Sequence, residues 1–253
     1  MLPASARIER LAALRLSVRA IEDAGRGANR DLLSFGLDEI DRRLAGGGLA
    51  AAALHEVAGA SASLSDDAAA TLFAAGIAAR RTGTVLWALG RPDLFAPGLA
   101  LVGLGPDRLL HAECGRDEDV LAVMEEGLRH GGLAAVVGEV GRVTMAATRR
   151  LQLAAEEKGV MALMLKRWRR SGQDPLALPS AAVTRWRIAC APSETLPVPG
   201  VGRPRWHVEL ARQRGGAPFQ WIMESCNAEG RLALFALSAD RPVAAEPGER
   251  RAA

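Results

Sequence analysis

Five short, apolar-rich runs recur between residues 54 and 165, and each is separated from the next by a stretch of helical character. No other feature constrains this chain as much. The runs cover 54–59, 84–89, 109–112, 133–137 and 160–165. Most lack the polar alternation of a half-solvated strand, so they read as strands buried on both faces. The intervening segments predict helices over 66–80, 93–103, 117–129 and 144–157. The first is alanine-rich, with Ser65 or Asp66 as its N-cap. The third carries Asp117, Glu118 and Asp119 in its first turn, where the helix dipole favours acids. Alternation of this kind yields a three-layer α/β fold with a mostly parallel sheet. After residue 180 the helices stop. Strands are expected over 183–189, 206–212, 219–224 and 232–237, as an antiparallel C-terminal extension of the same sheet.

Composition narrows the class. Apolar residues make up 49% of the 253 positions, enough to offset ordering entropy, so wholesale disorder is excluded. No apolar run approaches the ~18 residues of a membrane span, and residues 1–10 lack a signal peptide's apolar core. Cys114, Cys190 and Cys226 lie far apart with no C-x-x-C pair, which argues against a zinc knuckle or a disulfide framework. The expectation is a cytoplasmic protein with no membrane segment. Net charge is only +3, and Lys158 and Lys166 are the only lysines. Tyrosine is absent and aromatics are 4%, which disfavours a broad base-stacking surface.

Three segments are expected. Residues 1–30 form an amphipathic helix and linker, 31–240 the core domain, and 241–253 a disordered tail rich in Pro, Ala and Arg. In the first segment Leu11, Leu14, Val18 and Ile21 recur at spacings of three and four, the rhythm of a packing seam. That stripe docks either on its own domain or on a partner; the sequence leaves both open. Residues 34–49 read as a short helix feeding the turn Gly46-Gly47-Gly48.

A strand, a glycine, a small-residue loop and a helix have the layout of a phosphate-binding loop, whose working form is G-x-x-x-x-G-K-[ST]. Here Gly59 opens the loop and Leu64 stands at the second glycine. Ser65 takes the lysine position, and Asp66, followed by Asp67, takes the hydroxyl position. Two like charges a few Å apart repel by several kcal/mol at an effective dielectric of roughly 20. Carboxylates here cap the helix end that would otherwise attract an anion. The loop reads as degenerate, with no catalytic residue, no metal and no cofactor.

From about residue 32 to 225 the chain resembles the RecA-type recombinase core. Gly36 to Leu49, then Glu56 and Gly59, are similar to that family's entry into its phosphate loop, and Ala134 to Val137 to its Walker B strand. The departures share a direction. The lysine is missing, Arg91 stands where the catalytic glutamate belongs, and Gly138 holds the Walker B acid position with Glu139 one step late. Within that superfamily the chain resembles the ImuA family. The similarity is carried by Phe35-Gly36-Leu37-Asp38, Leu54-His55-Glu56-Val57, Arg91 through Leu99, Arg116-Asp117-Glu118-Asp119, Glu125 through Arg129, His207 through Leu210, and Arg212 through Gly216.

This resemblance implies a RecA-like three-layer core preceded by a helix. It also implies a non-catalytic adaptor or regulator of SOS-induced translesion synthesis and mutagenesis. ImuB and an error-prone DnaE-type polymerase are the implied partners, with RecA and self-association as further candidates. Leu11, Leu14, Val18 and Ile21 would be the partner-binding stripe. Two alternatives stand beside it: a divergent DNA-dependent ATPase using Glu139, and a SulA-like inhibitor of cell division.

Lys166-Arg167-Trp168-Arg169-Arg170 follows a predicted strand end, where loops of a RecA-like core approach DNA. Four cations with one aromatic suit phosphate contact and base stacking, and Trp and Arg equally suit a protein interface. Strand-edge cations that block aggregation are the simpler reading. His55, His111, His130 and His207 show no metal-ligand spacing.

Overall fold

The apolar runs become the centre of one nine-stranded sheet in the computed structural model, which describes residues 31–169, 172–193, 199–200 and 202–234. Four strands are buried at every position: β3 (Leu54–Gly59), β4 (Val85–Leu89), β6 (Ala135–Val140) and β7 (Met161–Lys166). They are joined by β5 (Leu109–Glu113), β8 (Thr184–Ala191), β9 (Arg205–Gln213), β10 (Phe219–Glu224) and β11 (Ala233–Leu234). The order is β11-β10-β9-β8-β3-β7-β6-β4-β5. Every pairing from β5 through to β8 is parallel, and β8 to β11 pair antiparallel. The mostly parallel sheet and its antiparallel extension are therefore as the sequence pattern implied. The short strands β1 (Leu32–Leu33) and β2 (Leu49–Ala50) form a separate antiparallel pair that the pattern did not reveal.

Helices cover both faces. On one side lies α2 (Leu64–Ala79), whose Phe73, Ala74 and Ile77 meet Val57, Val85, Trp87, Val137 and Leu163 of the sheet. On the other lie α4 (Asp117–His130) and α5 (Met145–Lys158). Their Val120, Met124, Leu128 and Leu151 meet Leu86, Val136, Ala162 and Met164. Two shorter helices are α1 (Asp38–Asp41) and α3 (Ala96–Leu101), the latter six residues where eleven were expected. Pro97 lies in its first turn, and Gly103 ends it at positive φ.

The antiparallel extension is sealed by aromatics rather than by a helix of its own. Phe73 lies 5.5 Å from Trp186 and 6.4 Å from Trp206, and Phe219 lies 6.0 Å from Trp186, ring centre to ring centre. Such tilted and edge-on pairs contribute roughly 0.5–1.5 kcal/mol each beyond area burial. Beneath them His55 is fully buried in a closed relay. Its Nε2–H donates to Ala50 O, its Nδ1 accepts from Thr184, and Thr184 Oγ1 also accepts from Trp186 Nε1. Burial, partly offset by the Ala50 bond, pushes its pKa down to about 4. This histidine is structural and neutral.

Among the described residues no helix is long and apolar enough to cross a membrane. The expected helix with Leu11, Leu14, Val18 and Ile21, and the tail 241–253, lie outside the described residues.

Candidate functional site

In open α/β sheets, ligands settle outside the carboxyl ends of the strands. The segments that follow β4, β5, β6 and β7 converge there on a cavity of about 430 Å³. Its wall on the helix side is the first two turns of α2.

That helix begins two residues before the sequence expectation. Ser63, not Ser65 or Asp66, is the N-cap, and its hydroxyl accepts from Asp66 N at 3.2 Å. Asp66 is thereby freed to turn inward. Its Oδ1 accepts from Cys190 N at 2.8 Å, and its Oδ2 from the Ser61 hydroxyl at 2.6 Å. The loop amide of Ala60 donates to Ile188 O, and that of Ser63 to the Ser61 hydroxyl. A methyl group on Gly59 would sit 3.0 Å from the Asp66 backbone, so the loop closes tightly on the helix start. Ser65, at the lysine position, is exposed. The amides of Ala60, Ser63 and Asp66 and the Asp66 carboxylate are thus engaged within the loop and with β8.

Arginine supplies the cation that the loop lacks, from a different strand. Arg167, just past β7, donates from Nε to Glu139 Oε2 at 2.9 Å and from Nη2 to the Thr71 hydroxyl at 2.9 Å. It also donates from Nη1 to Asp67 O at 3.2 Å. Asp67 Oδ1 lies 2.9 Å from Nη1 but off the N–H direction, an electrostatic contact rather than a hydrogen bond. Glu139 is completed by Trp87 Nε1, which donates to Oε1 at 2.8 Å. Burial disfavours the Arg167 charge, but Glu139 and Asp67 more than offset it and hold the guanidinium above its ordinary value. The cavity floor is thus an internal ion pair tied to α2.

A second internal contact stands beside it. Gly141 N and Arg142 N, just after β6, donate to Asp117 Oδ2 at 3.0 and 3.3 Å, and Arg169 pairs with Oδ1. Arg169 lies so close across Gly141 that a Cβ there would clash. Asp117 therefore ties the turn after β6 and Arg169 to the start of α4.

No family model matches the chain. The chain is 39% identical to Protein ImuA of Caulobacter vibrioides, in each of two strains, over 241 residues that cover 90% of this chain and 99% of that protein. The chain belongs to the ImuA family. The resemblance read from scattered motifs is thus shown across nearly the whole length.

In this ImuA-family chain the expected basic cluster is taken apart, and two of its members need correction. Lys166 is 2% exposed and faces α4 and α5, so it offers nothing to DNA. Burial holds its ammonium below the ordinary value, with Glu56 partly offsetting. Arg167 faces the opposite side and is consumed by the ion pair above. Trp168 donates its indole N–H to Gly59 O at 2.8 Å, closing the degenerate loop from above. Arg169 alone is half-exposed, and it is paired with Asp117. Arg170 lies outside the described residues.

The acids resolve in the same way. At Gly138 an added Cβ would run into the Met124 side chain of α4, so a carboxylate there would require that side chain to move. Glu139, one step on, faces α2 and the cavity. The sequence ended this strand at residue 137; it runs to Val140, which places Glu139 inside it. Arg91 lines the cavity at its rim. Asp117, read from sequence as a dipole-favoured acid, also accepts from the Gly141 and Arg142 amides. The run of apolar residues before Gly138 could have signalled the longer strand, but nothing local signals the Arg167 partnership. Among the described residues no three His, Cys, Asp or Glu side chains gather so as to hold a metal ion.

Proposed function

We propose that the chain is a non-catalytic, RecA-like adaptor in SOS-induced translesion synthesis and mutagenesis. It works in the cytoplasm with ImuB and an error-prone DnaE-type polymerase through protein–protein contacts. RecA or a second copy of the chain is a further partner under the same reading. Family membership supports the damage-response setting. One observation carries the non-catalytic part: the place for a triphosphate and its metal is filled by the Glu139–Arg167–Asp67 contacts and by the inward-turned Asp66. A triphosphate would have to displace these groups and then lie among their carboxylates.

The divergent-ATPase reading needs Glu139 as a free base. Its two oxygens are already held by Trp87 and Arg167, so no observation favours that reading.

The test is direct. Purified protein is incubated with ATP, Mg²⁺ and single-stranded DNA, and released phosphate is followed. No release above background is expected; turnover would end the adaptor account. In parallel, immobilised ImuB should retain the chain. Changing Leu11, Leu14, Val18 and Ile21 to Ser should weaken that retention if the N-terminal stripe is the contact.

A further inference from the structure

We propose that Arg212 and Arg214, at the end of β9, form a binding site for a carboxylate-rich segment of a partner protein. The site lies at the amino ends of β3 and β8, where His55 pairs with Thr184, at the opposite end of the sheet from the cavity. It goes beyond the adaptor reading by naming a surface and the chemistry it takes.

Strand register builds the site. Arg185 stands opposite Arg212 in the β8–β9 ladder, and the Arg214 amide donates to Val183 O. All three guanidinium groups turn onto one stretch of chain. Arg185 donates to Leu178 O at 3.0 Å, Arg212 to Ser180 O at 3.0 Å and Arg214 to Ala181 O at 3.1 Å. That stretch is itself anchored, because Ala181 N donates to Thr148 Oγ1 of α5 at 3.1 Å.

Charge balance selects the ligand. Elsewhere in this protein exposed and half-buried arginines meet carboxylates: Arg129 meets Glu125, Arg187 meets Asp174 and Glu209, and Arg203 meets Glu224. At this site the buried Arg185 takes Glu56. Among the described residues Arg212 and Arg214 form no ion pair. Each gives one printed bond to a carbonyl and keeps the rest of its five-donor fork. The carbonyls hold both forks in place, so an incoming anion meets donors that are already oriented. Such forks pair with carboxylate and phosphate alike. Nucleic acid, however, is held by a long run of cations with aromatic faces for its bases. Here the cations are few, and the cation–ring contacts of the described residues are made by Arg43 and Arg80 instead. Leu178, 49% exposed on the same stretch, offers an apolar contact that a protein side chain uses and a phosphate does not. A protein carboxylate is therefore the better match.

The experiment uses the full chain and three labelled probes: the capped peptide Glu-Asp-Glu-Leu-Asp-Glu, its Gln and Asn counterpart, and oligothymidylate. Arg212→Gln combined with Arg214→Gln removes both charges and leaves a side-chain donor for each carbonyl. Arg129→Gln, at an exposed position on α4, is the control. Melting temperatures verify folding, and Arg212→Gln alone carries the test if the double variant does not fold. The expected result is saturable, salt-sensitive binding of the acidic peptide and none of its uncharged counterpart. R212Q/R214Q should lose about tenfold or more in affinity, with R129Q unchanged. Equal binding by the variant and the wild type, or no binding of the acidic peptide at all, overturns the site. Oligothymidylate bound more tightly than the peptide, and lost in the same variant, overturns the protein-segment assignment in favour of nucleic acid. The assay contains no ImuB, so its failure leaves the adaptor reading to its own test.

Discussion

Two glutamate–arginine pairs are buried on opposite faces of the same sheet, and they do different work. Glu56 and Arg185 sit directly opposite in the β3–β8 register, 2.6 Å apart, on the α4–α5 side of the sheet, with Leu178 O accepting a second guanidinium bond. Both are nearly inaccessible, so this pair locks the central strand to the first strand of the antiparallel extension. Glu139 and Arg167 face α2 at the edge of the cavity. Their hydrogen bonds reach Thr71 and the Asp67 carbonyl, so this pair fixes a helix to a strand end across the degenerate loop. The first pair is interior architecture. The second occupies a position where a ligand could have been, and it is the one whose loss should reshape a surface.

The largest effect should come from breaking the architectural pair. Glu56→Ala leaves Arg185 as a buried cation without its anion, and should cost about 3–5 kcal/mol in urea unfolding. The double change Glu56→Leu with Arg185→Met should recover most of that loss, since an apolar pair of similar volume avoids desolvation. A double variant as unstable as the single one would mean that the charges themselves specify the register.

Acid offers the next largest effect and keeps the pairs separate from their surroundings. His55 has a folded pKa of about 4 against an ordinary value near 6.5. The unfolded chain therefore binds more protons between these values. The stability associated with neutral His55 is fully present above about pH 6.5 and falls by about 3 kcal/mol as pH drops toward 4. Thermal melts across that window should show the slope, and His55→Gln should flatten it. An unchanged slope would assign the acid sensitivity to the ion pairs instead.

Arg167→Met should cost less, about 1–3 kcal/mol, because this pair is partly reached by water. It should also loosen the first turns of α2, seen as faster amide exchange near Asp67 and Thr71, without creating ATP turnover. The smallest effect belongs to the cap. Ser63→Ala removes the bond to Asp66 N and should cost about 1 kcal/mol, read from the urea midpoint. A loss as small as this at Arg167 would make the cavity-floor pair dispensable for stability and leave only its occupancy of the site.

The layers were legible because they depend on local runs. Fully buried strands need continuous apolar stretches, and those stretches are visible at 84–89 and 160–165 without any knowledge of neighbours. The degenerate loop was legible too, since Ser65, Asp66 and Asp67 stand at fixed offsets from Gly59. The basic cluster at 166–170 was misleading for a physical reason. Lys166 ends the strand, and the next residue turns to the other face of the sheet, so these two adjacent cations could not share one patch. Lys166 went to one face and Arg167 to the other.

The sequence by itself determined an α/β sheet whose first buried strand leads into a lysine-free loop with two acids, because strand burial and motif offsets are properties of neighbouring residues. Tertiary structure alone decided that Arg167 fills the site, that Asp117 occupies the Gly141 amides, and that Leu64 and Phe95 rim the cavity. Those partners lie 24 to 100 positions apart in the chain, and only the order and register of the strands bring them within bonding distance.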